Sequence, residues 1–367
     1  MSTTVHNEKD ESLLPAKLIY SPDESYSDQS RMYQGIPGIE LTANNHGYMA
    51  FYSGGKDEGS GNYIVVGISN DKCKTFKTPY MIISPPTDMV RCFDPCLWID
   101  PDKRLWVFYA QSYTFYDGRM GVWCCVCDDP DAENPVFSEP RRIANGIMMN
   151  KPIVTSKGDW LLPCAIWEGF QSDYNFLPEE RFSNVYRSAD NGVTFELIGH
   201  ADYIDRYIDE HMTVEKENGD ILMLIRAKKG IGQSISKDGG VTWSKGIDSG
   251  LGGPCSRFCI RRLASGNLVL INHHDFKGRN NLKAMISADD GKTWSGYLTL
   301  DERSGISYPD LTEDSDGNIY VIYDYNRYSD REILLAVIKE PDIAAGEIIN
   351  PDSCLKYVLN KATGSRE

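Results

Sequence analysis

The side chains able to do chemistry begin with the thiols. Ten cysteines occur, three of them close together in "WCCVC" as Cys124, Cys125 and Cys127. Clustered thiolates suggest a metal, but zinc sites need CxxC pairs or a Cys/His quartet, and neither accompanies this run. On a strand, Cys125 and Cys127 share one face and Cys124 takes the other. The cysteines therefore read as buried, reduced thiols, which suits a reducing compartment. Of the six histidines, "DEHM" supplies His211 and "NHHD" supplies His273, although a lone histidine is more often structural. The net charge of −15 argues against a nucleic-acid partner, which needs basic stripes. The same acidic field repels anionic ligands, so an anionic substrate requires a local arginine cluster.

Such groups act only when something positions them, and the chain repeats a positioning unit. "SADDGKTW" begins at Ser287, "SKDGGVTW" at Ser236, "SADNGVTF" at Ser188 and a more worn "SNDKCKTF" at Ser69. The later copies are 48 and 51 residues apart, and the long gap after Ser69 leaves room for one decayed copy. Each octapeptide is a turn: the Asp bonds backbone N–H groups ahead of it, Gly supplies positive φ, and the closing aromatic ring buries beneath. A strand precedes each copy ("NYIVVGI", "FSNVYR", "GIGQSI", "LKAMI"), and Gly turns open others ("GDWLLPCAIW", "GDILMLIRA", "GNLVLINHH", "GNIYVIYDY"). Helical periodicity is nearly absent. Units of about 50 residues built from short strands predict an all-β, six-bladed β-propeller with the boxes on outer hairpins, away from the axis. The expected boundaries are an extension over 1–30, the propeller over 31–345 and a tail over 346–367 that packs on it. No signal-peptide h-region or membrane span is evident, so a cytoplasmic protein is expected, with no membrane partner. Box carboxylates already have turn N–H partners and no hard-ligand cluster is visible, so neither metal nor cofactor is expected.

These S-x-D-x-G-x-T-W boxes resemble the Asp-box (BNR) repeats of the sialidase superfamily, over nearly the whole chain. The resemblance implies an active site with a Tyr nucleophile, a Glu that activates it, three arginines gripping a carboxylate, and a carboxylic acid/base on a mobile loop. "DEHMTVEKENGDILMLIR" resembles the stretch that supplies the activating Glu and the second arginine, here Glu210 and Arg226. "GRNNLKAMISADDGKTW" supplies the third arginine as Arg279, and "ISYPDLTEDSDGNIYVIYD" the nucleophile as Tyr308. A phenol activated by Glu avoids the repulsion between an anionic nucleophile and a sugar carboxylate, and paired arginines fork onto that carboxylate. The loop "YSGGKDEGSGNY" offers Glu58 as acid/base, with Asp57 beside it, and its glycines Gly54, Gly55, Gly59 and Gly61 allow motion.

One position departs from the pattern. Sialidases carry their first arginine in an Arg-Ile-Pro motif, and "YQGIPGIE" has Gly35 in its place. Either Arg257 or Arg31 substitutes, or the substrate is a different sugar. An empty wall at Gly35 weakens the carboxylate grip and predicts feeble activity on simple sialosides. Asp94, Lys151, His211 and His273 are expected to line the cup. The expected partner is a carbohydrate, processed by an exo-glycoside hydrolase of acidic sugars. Two alternatives stand: a polysaccharide lyase or rhamnosidase-type enzyme using His211 with Tyr308, and a non-catalytic carbohydrate-binding propeller.

Overall fold

The computed structural model describes residues 10–167, 174 and 177–365. Its strands form six antiparallel sheets, five of four strands and one of five. The expected all-β, six-bladed propeller is the architecture observed. The inner strands are Tyr33–Leu41, Val90–Ile99, Ile153–Val154, Met212–Glu215, Cys259–Arg262 and Ile306–Glu313. Each pairs with the next strand in sequence, so a blade is an up-and-down meander running outward from the axis. The blades are nearly all apolar on both faces because each is sandwiched between two others. Cys125 and Cys127 pack with one inter-blade cluster and Cys124 with another, as the alternation of a strand requires. All ten cysteines are free.

The four boxes lie between the third and fourth strands of blades one, three, four and five. In the fourth blade Ser236 Oγ donates to Asp238 Oδ1 at 2.8 Å and accepts from Gly240 N at 2.8 Å, while Thr242 N donates to Asp238 at 2.8 Å. The same bonds recur around Ser69, Ser188 and Ser287. Gly192 has φ 84°, and a Cβ there would lie 2.5 Å from the Trp106 ring and 2.6 Å from Trp160. Turn geometry and inter-blade packing therefore both demand glycine at that position. In the sixth blade a helix, Glu340–Ala345, occupies the place of the box.

Two expected boundaries shift. Cys354–Lys361 is the outermost strand of the sixth blade rather than a tail, and Lys17–Ile19 adds a fifth strand to the first blade. Blades one and six close the ring through Ile36 N to Asp324 at 2.9 Å, Ile39 N to Asp310 at 3.0 Å, and Gln34 to the Arg331 carbonyl at 2.7 Å.

A polar plug fills the axis. Lys151 Nζ donates to the carbonyls of Ile39 at 2.7 Å and Leu97 at 2.6 Å, and pairs with Glu40 at 3.1 Å and Asp310 at 3.0 Å. Arg257 bonds Asn150 at 2.6 Å and faces Asp310 at 3.6 Å. Buried charges persist only when paired in this way, and the plug ties three inner strands to the segments that lead into two others. Among the described residues no helix is long and apolar enough to cross a membrane.

Candidate active site

Three inner strands carry the same device near their first residues. Gly35-Ile36-Pro37-Gly38, Phe93-Asp94-Pro95-Cys96 and Ser307-Tyr308-Pro309-Asp310 each break their pairing register. The residue before each proline is left-handed: Ile36 at φ 56°, Asp94 at 50° and Tyr308 at 55°. Proline cannot donate to the ladder, so it marks the bulge. For these residues the backbone conformation costs of order 1–3 kcal/mol, a strain typical of functional sites. The bulges sit where inner strands begin and second strands end, and at that end Arg226 closes its strand while Glu58, Arg279 and Arg327 follow theirs. The boxes close third strands, which run the opposite way, so they lie at the other end of the blades.

Tyr308 is the centre of the cluster. Its hydroxyl donates to Glu210 Oε1 at 3.0 Å and accepts from Arg226 Nη1 at 3.2 Å. Arg226 also forms an ion pair with Glu210, and its Nη2 reaches the Cys255 carbonyl at 3.2 Å. Arg279 donates to the same carbonyl at 3.3 Å and holds its guanidinium carbon 5.3 Å from the centre of the Tyr308 ring. Burial and the Glu210 charge push the Tyr308 phenol up to about 12 against the pull of three arginines, so it rests protonated. Its acceptor, Glu210, is in hydrogen-bond contact.

The third of those arginines is Arg327, which the sequence reading missed. Its guanidinium carbon lies 4.8 Å from the Tyr308 ring centre. Its stem fills the space beside Gly35: a Cβ there would sit 2.2 Å from Arg327 Cδ and 2.5 Å from Cγ. The wall expected to be empty is therefore occupied. Neither expected substitute does this. Arg257 belongs to the axial plug, and Arg31 is buried against the Tyr26 carbonyl at 2.9 Å and Asn360 at 2.8 Å.

Glu58 joins the cluster from its loop. Arg327 Nη1 at 3.0 Å, Tyr328 Oη at 3.1 Å and Tyr33 Oη at 3.2 Å all donate to its Oε1. Burial raises the carboxyl, but Arg327, Arg91 and the tyrosine hydrogen bonds outweigh it and hold Glu58 below its usual range. It rests ionised. Gly55 and Gly59 in its loop face open space, and Gly54 and Gly61 have positive φ.

Asp94 is 2% exposed. Burial, opposed by Arg91 and reinforced by Glu58 and Glu210, pushes it up to about 8. Its unfolded-state value is near 3.8. A raised acid contributes a penalty that is absent below the unfolded value and grows as pH rises towards the folded one. Asparagine tolerates the left-handed backbone. Asp94→Asn is therefore expected to flatten a fall in Tm expected of the wild type between about pH 4 and about pH 8. Thermal melts across that range check this, and parallel curves would overturn it.

The remaining expected cup residues are engaged with backbone carbonyls or with the plug. Lys151 is the axial bolt described above. His211 Nε2 is tied to the Asn184 carbonyl at 2.7 Å and His273 Nδ1 to the Asn280 carbonyl at 2.8 Å. Both are buried, and desolvation pushes each down to about 4, so they are neutral wall residues. Among the described residues no group of three or more His, Cys, Asp or Glu is placed to hold a metal.

The BNR repeat-like domain family matches residues 47–321, most of the chain. The chain belongs to that family. No match is found among curated protein sequences. Among solved structures, the Hadza microbial sialidase Hz136 superposes with a TM-score of 0.66 at 19% identity, over 82% of this chain and 65% of that one. This BNR-repeat chain thus spans about two thirds of that sialidase. The intramolecular trans-sialidase of Ruminococcus gnavus, solved with oseltamivir carboxylate, superposes at 0.67 and 14% identity, over 90% and 98% of the two chains. A Dyadobacter fermentans protein of unknown function gives 0.65 at 17%, over 83% and 93%. The fold of this BNR-repeat protein is therefore that of sialidases.

Proposed function

We propose that this protein is an exo-acting glycoside hydrolase of sialidase type whose substrate is an acidic sugar, a sialic acid or a related ulosonic or uronic acid glycoside. The observation that carries the reading is the Tyr308–Glu210–Arg226 hydrogen-bonded unit with Arg279 beside it. Tyr308 Oη attacks the anomeric carbon as the bond to the leaving oxygen breaks, and its proton passes to Glu210. Glu58 delivers a proton to the leaving oxygen. Water, deprotonated by Glu58, then attacks the anomeric carbon as its bond to Tyr308 breaks, and Glu210 returns the proton to the phenol. Arg226 and Arg279 hold the carboxylate.

A panel of aryl glycosides tests this. Release of the aryl group from acidic sugars, but not from neutral ones, is the expected result. Release from neutral glycosides alone would overturn the reading. So would a rise in ultraviolet absorbance on acidic polysaccharides, since it reports the unsaturated product of a lyase.

A further inference from the structure

We propose that Arg327 serves as the missing third arginine of the carboxylate clamp and latches Glu58 at rest, so that the substrate carboxylate must displace Glu58 to bind. The inference rests on the acidic-sugar reading above and adds to it the residue that selects for the carboxylate and the event that readies the acid.

Space comes first. Gly35 and Arg327 are complementary: only a residue without Cβ leaves room for the Arg327 stem, at 2.2 and 2.5 Å from where that atom would lie. Glycine at 35 and the placement of the Arg327 stem therefore go together, although they lie near opposite ends of the chain. Position comes second. Arg226 touches the Tyr308 hydroxyl, while Arg279 and Arg327 stand 5.3 and 4.8 Å from the ring centre. Three guanidinium groups surround one nucleophile.

Charge decides the rest. The Arg327 side chain is 12% exposed, and a cation so placed needs anions. Asp324 supplies one at 3.7 Å, itself fixed by Ile36 N at 2.9 Å and Ser307 Oγ at 2.7 Å. Glu58 supplies the other at 3.0 Å. An incoming carboxylate can replace Glu58 on Arg327 at no loss of pairing. A neutral ligand cannot, because it would leave the guanidinium with Asp324 alone. Once displaced, Glu58 loses its largest stabilising charge. Tyr33, Tyr52, Tyr328, Arg91 and Asp94 remain about it, and without Arg327 the balance between burial and these partners moves towards the protonated form. The carboxylate thereby exchanges an ionised Glu58 for one able to give a proton to the leaving oxygen.

Oseltamivir carboxylate, the ligand of the R. gnavus relative, and its ethyl ester are suitable probes for titration calorimetry, with thermal melts to verify folding. Glu58→Gln weakens the latch and is expected to tighten carboxylate binding about tenfold. Arg327→Ala is expected to weaken binding by about tenfold or more, and the double variant should bind no tighter than Arg327→Ala. Gly35→Ala, whose new methyl group pushes the Arg327 stem aside, should weaken binding as well, without removing any charge. The ester should bind poorly to all of them. Wild-type affinity in Arg327→Ala and Gly35→Ala, with loss only in Arg279→Ala, would overturn the latch and leave the acidic-sugar reading standing. Unchanged affinity in Glu58→Gln, or no binding by any variant, would also overturn it. If the ester bound as well as the acid and Arg279→Ala bound normally, the acidic-sugar reading would fall too.

Discussion

Tyr308→Phe is expected to lower kcat by on the order of 10³ or more while leaving the fold intact. The phenyl ring keeps the packing volume of a side chain that is 6% exposed, so no cavity opens. Arg226 and Glu210 keep their ion pair, so no buried charge is stranded. Only the hydroxyl is lost, and with it the atom that attacks. KM should move little, because the arginines that hold the carboxylate are untouched. Glu210→Gln should behave differently: the phenol survives but loses its proton acceptor, and Arg226 loses its counter-charge, so stability falls along with kcat. Steady-state kinetics on an aryl glycoside of an acidic sugar, beside thermal melts, separate the two. If Tyr308→Phe kept kcat within about tenfold of wild type, Tyr308 would not be the nucleophile, and the cluster would have to work by activating water.

What the sequence discloses follows from the range of the forces involved. A box closes on itself within five residues, Ser236 to Gly240 and Asp238 to Thr242, so its spelling suffices to find it. The spacing of these turns, about 50 residues, divided into the length of the chain then gives the number of blades. The bulges were legible in principle, since "GIPG", "FDPC" and "SYPD" place proline where an inner strand should donate. The plug was not. Lys151 and Arg257 are charged residues at the inner strands, and read alone they look like cup residues. Their partners, Glu40, Asp310 and Asn150, come from other blades, and only the assembled axis reveals that these charges are already satisfied. His211 and His273 follow a related logic, each holding a backbone carbonyl through one ring nitrogen. Arg327 was hidden because its meaning lies in the shape of Gly35, nearly the whole chain away. Sequence spacing carries no trace of that contact, and the glycine of "GIP" raised only the question of a substitute or a different sugar. The blade boundaries erred for a similar reason: Cys354–Lys361 alternates poorly, with only Asn360 buried, because it is an outer edge strand.

Arg279→Ala should leave Tm almost unchanged yet raise KM for acidic glycosides steeply. Arg279 is half-buried, and its one hydrogen bond within the cluster, to the Cys255 carbonyl, is shared with Arg226. The fold therefore loses little when Arg279 is removed. A carboxylate held by a forked guanidinium loses charge-assisted hydrogen bonds worth roughly 1.5–3 kcal/mol each, so kcat/KM should fall by about 10²–10⁴. Because the clamp grips the same carboxylate in the bound substrate and in the transition state, most of that loss should appear in KM, with kcat falling less. The contrast with Arg226 is informative. Arg226 is 3% exposed and is the ion-pair partner of Glu210, so Arg226→Ala leaves a carboxylate buried without its cation and should depress Tm as well as activity. Kinetics on matched acidic and neutral aryl glycosides decide the matter. The penalty from Arg279→Ala should be confined to the acidic substrate. Should the variant lose nothing on acidic sugars, or lose equally on neutral ones, Arg279 does not grip a carboxylate, and of the present reading only the propeller and its strained Tyr308 would remain.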